Sequence, residues 1–150
     1  MRPTRANPAT TWFDLLRRGV STVAVVLGLL MGIAAVRGAG RWAALAPGGR
    51  VAVVELFLFG AGLMSVALGI HHRLRYTPWL AIPLTVLWFI LQGYGGARLI
   101  ASGNASQIDV LVLALEALGY LLIVGFVVVR RGEFVTGLFD APLPHTPHDA

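Results

Sequence analysis

Long apolar runs separated by brief polar stretches dominate this chain. Four runs stand out, at residues 19–36, 51–70, 78–101 and 108–129. Each is close to the ~20 residues that an α-helix needs to cross ~30 Å of hydrocarbon. Their apolar side chains fall all round a helix instead of along one stripe, as they do in membrane spans. The pattern predicts an all-α integral membrane protein with four transmembrane helices in residues 19–132. Apart from a Gly-rich stretch at 37–50, the connections are short. Short connections make consecutive helices antiparallel neighbours, so an up-down four-helix bundle is expected.

The flanks follow the same logic. Within residues 1–18, Trp12, Phe13, Leu15 and Leu16 predict a short helix lying on the cytoplasmic membrane surface. Tyr76 and Trp79 before the third run, Trp42 in the first loop, and Phe134 and Phe139 after the fourth would form an aromatic belt. Residues 133–150 read as a cytoplasmic tail, disordered from about 141, where "APLPHTPHDA" holds three prolines in ten residues. The first run exceeds the ~7–15 residue core of a signal peptide, and its best small-residue site, Ala44-Leu45-Ala46, is followed by Pro47. It is therefore expected to be retained as a helix.

Composition sharpens the membrane reading. The chain is 57% hydrophobic and 13% charged, with a mean hydropathy of +0.76. A soluble domain carries roughly 25% charged residues, so most of this chain is unsuited to water. The absence of cysteine excludes disulfides, thiolate metal sites and cysteine nucleophiles. All twelve basic residues are arginine, in a chain rich in Ala, Gly, Leu, Val and Pro, which reads as a bacterial high-GC coding bias.

The net charge of +5 is read as topology. Arginines 2, 5, 17, 18, 73, 75, 130 and 131 fall on one side of the expected bundle, against 37, 41, 50 and 98 on the other. That asymmetry predicts both termini in the cytoplasm and a bacterial inner-membrane location. The arginines form no basic stripe with interleaved aromatics, so no nucleic-acid partner is expected.

Polar residues inside the runs carry the candidate chemistry. Glu55 lies four residues into the second run, ~6 Å below its outer end. Arg98 lies at a similar level in the third, which predicts an intramembrane ion pair. Glu116 is eight residues into the fourth run, ~12 Å deep. Gln92 lies at the same depth in the third run, which predicts a Glu116–Gln92 hydrogen bond. Asp109, Glu116 and Tyr120 fall within ~60° of one another on one helix.

Ionisable groups at such depths face a bundle interior or a wet cavity. Glu116, Gln92, Tyr120 and Asp109 therefore form a candidate proton or cation site. The plainer reading is a hydrogen-bonded group that fixes helix packing.

The remaining features point to structure. Gly28 and Gly32, Gly62 and Gly69, and Gly93, Gly95 and Gly96 predict close helix approaches. Pro83 predicts a mild kink. His71, His72, Arg73 and Arg75 form a candidate contact for lipid headgroups on the inner surface. A haem would need histidines facing each other across the bundle, and the other two, His145 and His148, lie in the tail between prolines. No cofactor and no metal are expected. No nucleotide loop, nucleophile elbow or zinc motif is present.

Three functions fit, in this order. The first is an accessory or structural subunit of a membrane assembly, with other membrane subunits or itself as partner besides the bilayer. The second is a small proton- or cation-coupled transporter. The third is a membrane enzyme or a quinone- or lipid-handling protein.

Overall fold

The computed structural model describes residues 8–103 and 105–134. Most of the expected cytoplasmic tail, Phe139, His145 and His148 lie outside the described residues. Helix α1 covers Pro8–Ala39, α2 Pro47–His72, α3 Thr77–Trp88, α4 Tyr94–Ala101 and α5 Gln107–Val129. A π turn, Phe89–Gly93, joins α3 to α4 without a break. Helices and the turns between them make up the described residues, with no strand. Four helices are long and apolar enough to cross a membrane: Trp12–Ala39, Pro47–His72, Thr77–Ala101 and Gln107–Val129.

Local sequence explains most of the boundaries. Pro47 sits in the first turn of α2 and Pro78 in that of α3. A proline there sacrifices no helical hydrogen bond, because the first turn's N–H groups have no partner in the helix. Helix α2 stops at Arg73, whose φ of 56° is left-handed, and the Arg73 N–H donates to the Gly69 carbonyl. The tight turn that follows is tied by Thr77, whose hydroxyl donates to the Leu74 carbonyl at 2.7 Å.

Helix α5 begins with a reciprocal cap. The Ser106 hydroxyl accepts from the Asp109 N–H at 3.2 Å, and the Asp109 carboxylate accepts from the Ser106 N–H at 2.9 Å. Each bond satisfies a backbone donor that the helix end leaves free.

Two local expectations change. The surface helix predicted before residue 19 is continuous with the first span, because nothing between Ala9 and Val36 interrupts a helix except isolated glycines. Phe134, expected as an interfacial anchor, is buried in the hydrophobic core cluster. Trp12 and Trp79 are exposed, as anchors would be.

Successive helices pack against one another. On α1 and α2, Ser21 donates to the Ala67 carbonyl at 3.1 Å, and Gly38 faces Val53. Between those levels the two backbones almost touch: a Cβ on Gly60 would lie 3.0 Å from the Gly28 carbonyl oxygen. The predicted Gly28/Gly32 approach is thus made, with Gly60 as its partner. On α2 and α3, Gly62 faces Leu84 and Gly69 faces Thr77. Gly96 on α4 faces Leu113 on α5, and Gly119 on α5 faces Leu27 on α1.

The core occupies mainly one end. Call the end holding residues 8 and 134 the near end, and the opposite one the far end. In α2 every buried residue lies at or beyond Phe59, and in α5 at or beyond Gly119. The π turn and α4 bury none. Elsewhere the helices turn large apolar side chains outward, among them Leu29, Phe57, Leu87, Ile90, Leu115 and Leu118. Such a surface suits hydrocarbon and not water.

Candidate functional site

The far half brings polar side chains from three helices together. Glu55 projects from α2 and is half-buried, as is Gln92 on the π turn. The Gln92 amide donates to the Glu55 carboxylate at 3.4 Å, a long bond. On α5, Glu116 is half-buried and Asp109 exposed. Gln92, Asp109 and Glu116 line one cavity of about 330 Å³, with Gly96 and Leu113 among its walls.

The pairing differs from that expected. Gln92 bonds to Glu55 and makes no hydrogen bond to Glu116. Arg98 forms no ion pair with Glu55; it is exposed, with its guanidinium 5.8 Å from the centre of the Tyr94 ring. The π turn bears on Arg98, which lies beyond it. A five-residue turn holds one residue more than α phasing allows, so positions beyond it rotate by ~100° relative to a uniform helix. Depth estimates survive such a rotation, but facing does not.

Tyr120 stands apart from the cavity. It is fully buried and stacks on Trp88, with centroids 5.0 Å apart and an interplanar angle of 25°. Phe59 meets it edge-on at 6.5 Å. Its hydroxyl donates to the Met31 sulfur at 3.8 Å. Tyr120 therefore belongs to an aromatic layer beneath the polar groups. The Trp88 indole N–H is also buried there. It lies within interaction range of the Glu116 carboxylate but closes no hydrogen bond of proper geometry.

Asp109 is committed to the α5 cap, and the Ser106 hydroxyl lies 2.7 Å from its carboxylate. It is at the cavity mouth, but its first role is to hold the helix start.

At the near end, His71, His72, Arg73 and Arg75 are all exposed. The two imidazoles meet edge-on at 4.8 Å. Arg73 reaches Asp14 on α1 at 3.5 Å, and Arg17 reaches the same carboxylate oxygen at 3.1 Å. The Tyr76 hydroxyl donates to the Ser65 carbonyl at 2.9 Å, and burial pushes its pKa up.

Sequence reasoning missed Asp14 and Trp88. Asp14 and Arg17 carry a legible signal, opposite charges three residues apart on a helix. Trp88 carries none, since one more aromatic residue in an apolar run does not announce its partner. Among the described residues, no group of three or more His, Asp or Glu could hold a metal ion.

Comparison with known proteins finds no matching family model, no matching curated protein and no matching solved structure.

Proposed function

We propose that this chain is an accessory subunit of a membrane assembly: an up-down four-helix bundle in a bacterial inner membrane, with both termini cytoplasmic. The observation that carries this reading is the incomplete cover of the far half. Glu55, Gln92 and Glu116 are only half-buried within spanning helices, and α4 buries no residue. Ionisable groups in a membrane are costly unless they face protein or a wet cavity. A neighbouring subunit against α4 and the start of α5 would supply that cover. The arginine asymmetry supports the orientation.

The test is native mass spectrometry of the tagged protein, extracted from its own membrane in mild detergent. Larger unrelated chains at a fixed ratio are expected. A lone 16.0 kDa chain, or a clean homo-oligomer, would sink the reading.

One observation favours a second function. Gln92, Asp109 and Glu116 share a cavity, with Glu55 tied to its edge through Gln92. This supports a proton- or cation-coupled transporter with Glu116 as the binding carboxylate. Proton or cation flux into liposomes would then be lost in Glu116→Gln while the protein still folds. Flux equal to that of the unmodified protein would end this reading.

A further inference from the structure

A second cavity, of about 360 Å³, lies at the near end between α1 and α5. Phe13 and Leu16 line it from α1, and Leu122 and Phe126 from α5. Phe13, Leu16 and Leu122 are all exposed, so the groove opens to whatever surrounds the helices. Gly125 leaves part of its wall bare, and a Cβ there would meet nothing within 4 Å.

One charged residue lines the groove. Arg130 stands where α5 ends, with its guanidinium 3.6 Å from the centre of the Phe13 ring and 2.6 Å from the Glu133 carboxylate. These contacts hold the arginine head beside the apolar groove, without using all five of its N–H donors.

The surroundings are strongly positive. The near end carries six arginines at 17, 18, 73, 75, 130 and 131, against Asp14 and Glu133 among the described residues. Asp14 is taken by Arg17 and Arg73, and Glu133 by Arg130. Arg18, Arg75 and Arg131 pair with no carboxylate among the described residues.

We propose that this groove binds an acidic phospholipid, with one acyl chain along Phe13, Leu16, Leu122 and Phe126 and the phosphate against Arg130. The apolar lining suits a hydrocarbon chain. The guanidinium fork matches phosphate oxygens. The excess of arginines at the same end attracts a negative headgroup and disfavours a second copy of the same basic end. The proposal needs the long helices to lie in a bilayer. It does not depend on what the polar far half does.

The test uses the full chain, delipidated in detergent, with phosphatidylglycerol and phosphatidylcholine of matched acyl chains titrated by native mass spectrometry. Phosphatidylglycerol is expected to bind at one per chain and more tightly than phosphatidylcholine. Arg130→Gln should weaken phosphatidylglycerol about fivefold and remove most of the preference. Gly125→Leu should fill the groove and weaken both lipids, with helix content by circular dichroism unchanged. Millimolar inorganic phosphate should not displace the lipid.

Equal binding of the two lipids to the unmodified chain would overturn the proposal. So would phosphatidylglycerol binding that survives both substitutions, which would place the lipid elsewhere. Displacement by free phosphate would reveal an anion site without an acyl groove. A dimer lost in Gly125→Leu with lipid binding intact would show that a second copy fills the groove.

Discussion

Around Leu63, Val66, Ile70, Ile123 and Val127, side chains from neighbouring helices exclude solvent completely or nearly so. Toward the other end of the bundle, Glu55, Gln92 and Glu116 are each only partly buried. The aromatic layer of Phe59, Trp88 and Tyr120 divides the two regions. Backbone spacing accounts for part of the contrast. Gly60 and Gly69 bring α2 close to its neighbours. Toward the far end of the third span, the helix changes phase at the π turn and α4 contributes nothing buried. One set of helices can thus anchor a fold at one end and leave unfinished surface at the other.

Substitutions should separate the two regions. The largest effect is expected for Trp88→Ala, which removes the keystone of the aromatic layer. A loss of about 3–5 kcal/mol fits large-to-small core changes, read as a lower unfolding temperature in detergent. If Trp88→Ala melted like the parent, the division into packed and open halves would be wrong. Gly60→Leu comes next. Its side chain would meet the backbone of Gly28 and Gly32, which cannot rotate away. A loss of about 1–3 kcal/mol or more is expected, measured in the same way.

Ser106→Ala should cost about 1 kcal/mol by removing one arm of the cap. Hydrogen exchange should speed up in the first turn of α5 and stay unchanged near Ile123. An equal rise at both places would mean that the two halves unfold as one unit. Smallest is Glu116→Gln, a near-isosteric change at a half-buried position, expected to shift stability by less than about 0.5 kcal/mol. A large stability loss there would make Glu116 a packing element and merge the regions the comparison keeps apart.

The four apolar runs were legible because crossing hydrocarbon imposes length and hydropathy on a segment directly. The helix ends lie close to the ends of those runs, except in α1, where no breaker separates the residues before 19 from those after. That Gln92 shares a level with Glu116 was legible too, since both line one cavity and ~1.5 Å per residue needs only counting. Its partner was not. Facing depends on helical phase, and no proline marks the π turn at Phe89–Gly93. Pro83, the visible breaker, lies before it. Asp109 is the opposite case: the Ser106-x-x-Asp109 spacing fits a cap as well as Asp109 fits a polar stripe, and the folded chain uses the cap. The aromatic layer was hidden for a third reason. Tyr120 and Trp88 lie on different helices, and no local pattern encodes their stacking.

The π turn also changes what a change in chain length would mean here. Inside a regular helix, deleting one residue throws every later side chain onto a different face. Here a single deletion within Phe89–Gly93 would restore ordinary α phasing and keep the helix continuous. Because the turn already absorbs one residue, α4 would keep its facing and Gly96 would stay against Leu113. The extra residue is thus slack in the third helix: one codon can be lost at Phe89–Gly93 without re-aiming the far arm, whereas the same loss a turn earlier would swing it onto another face.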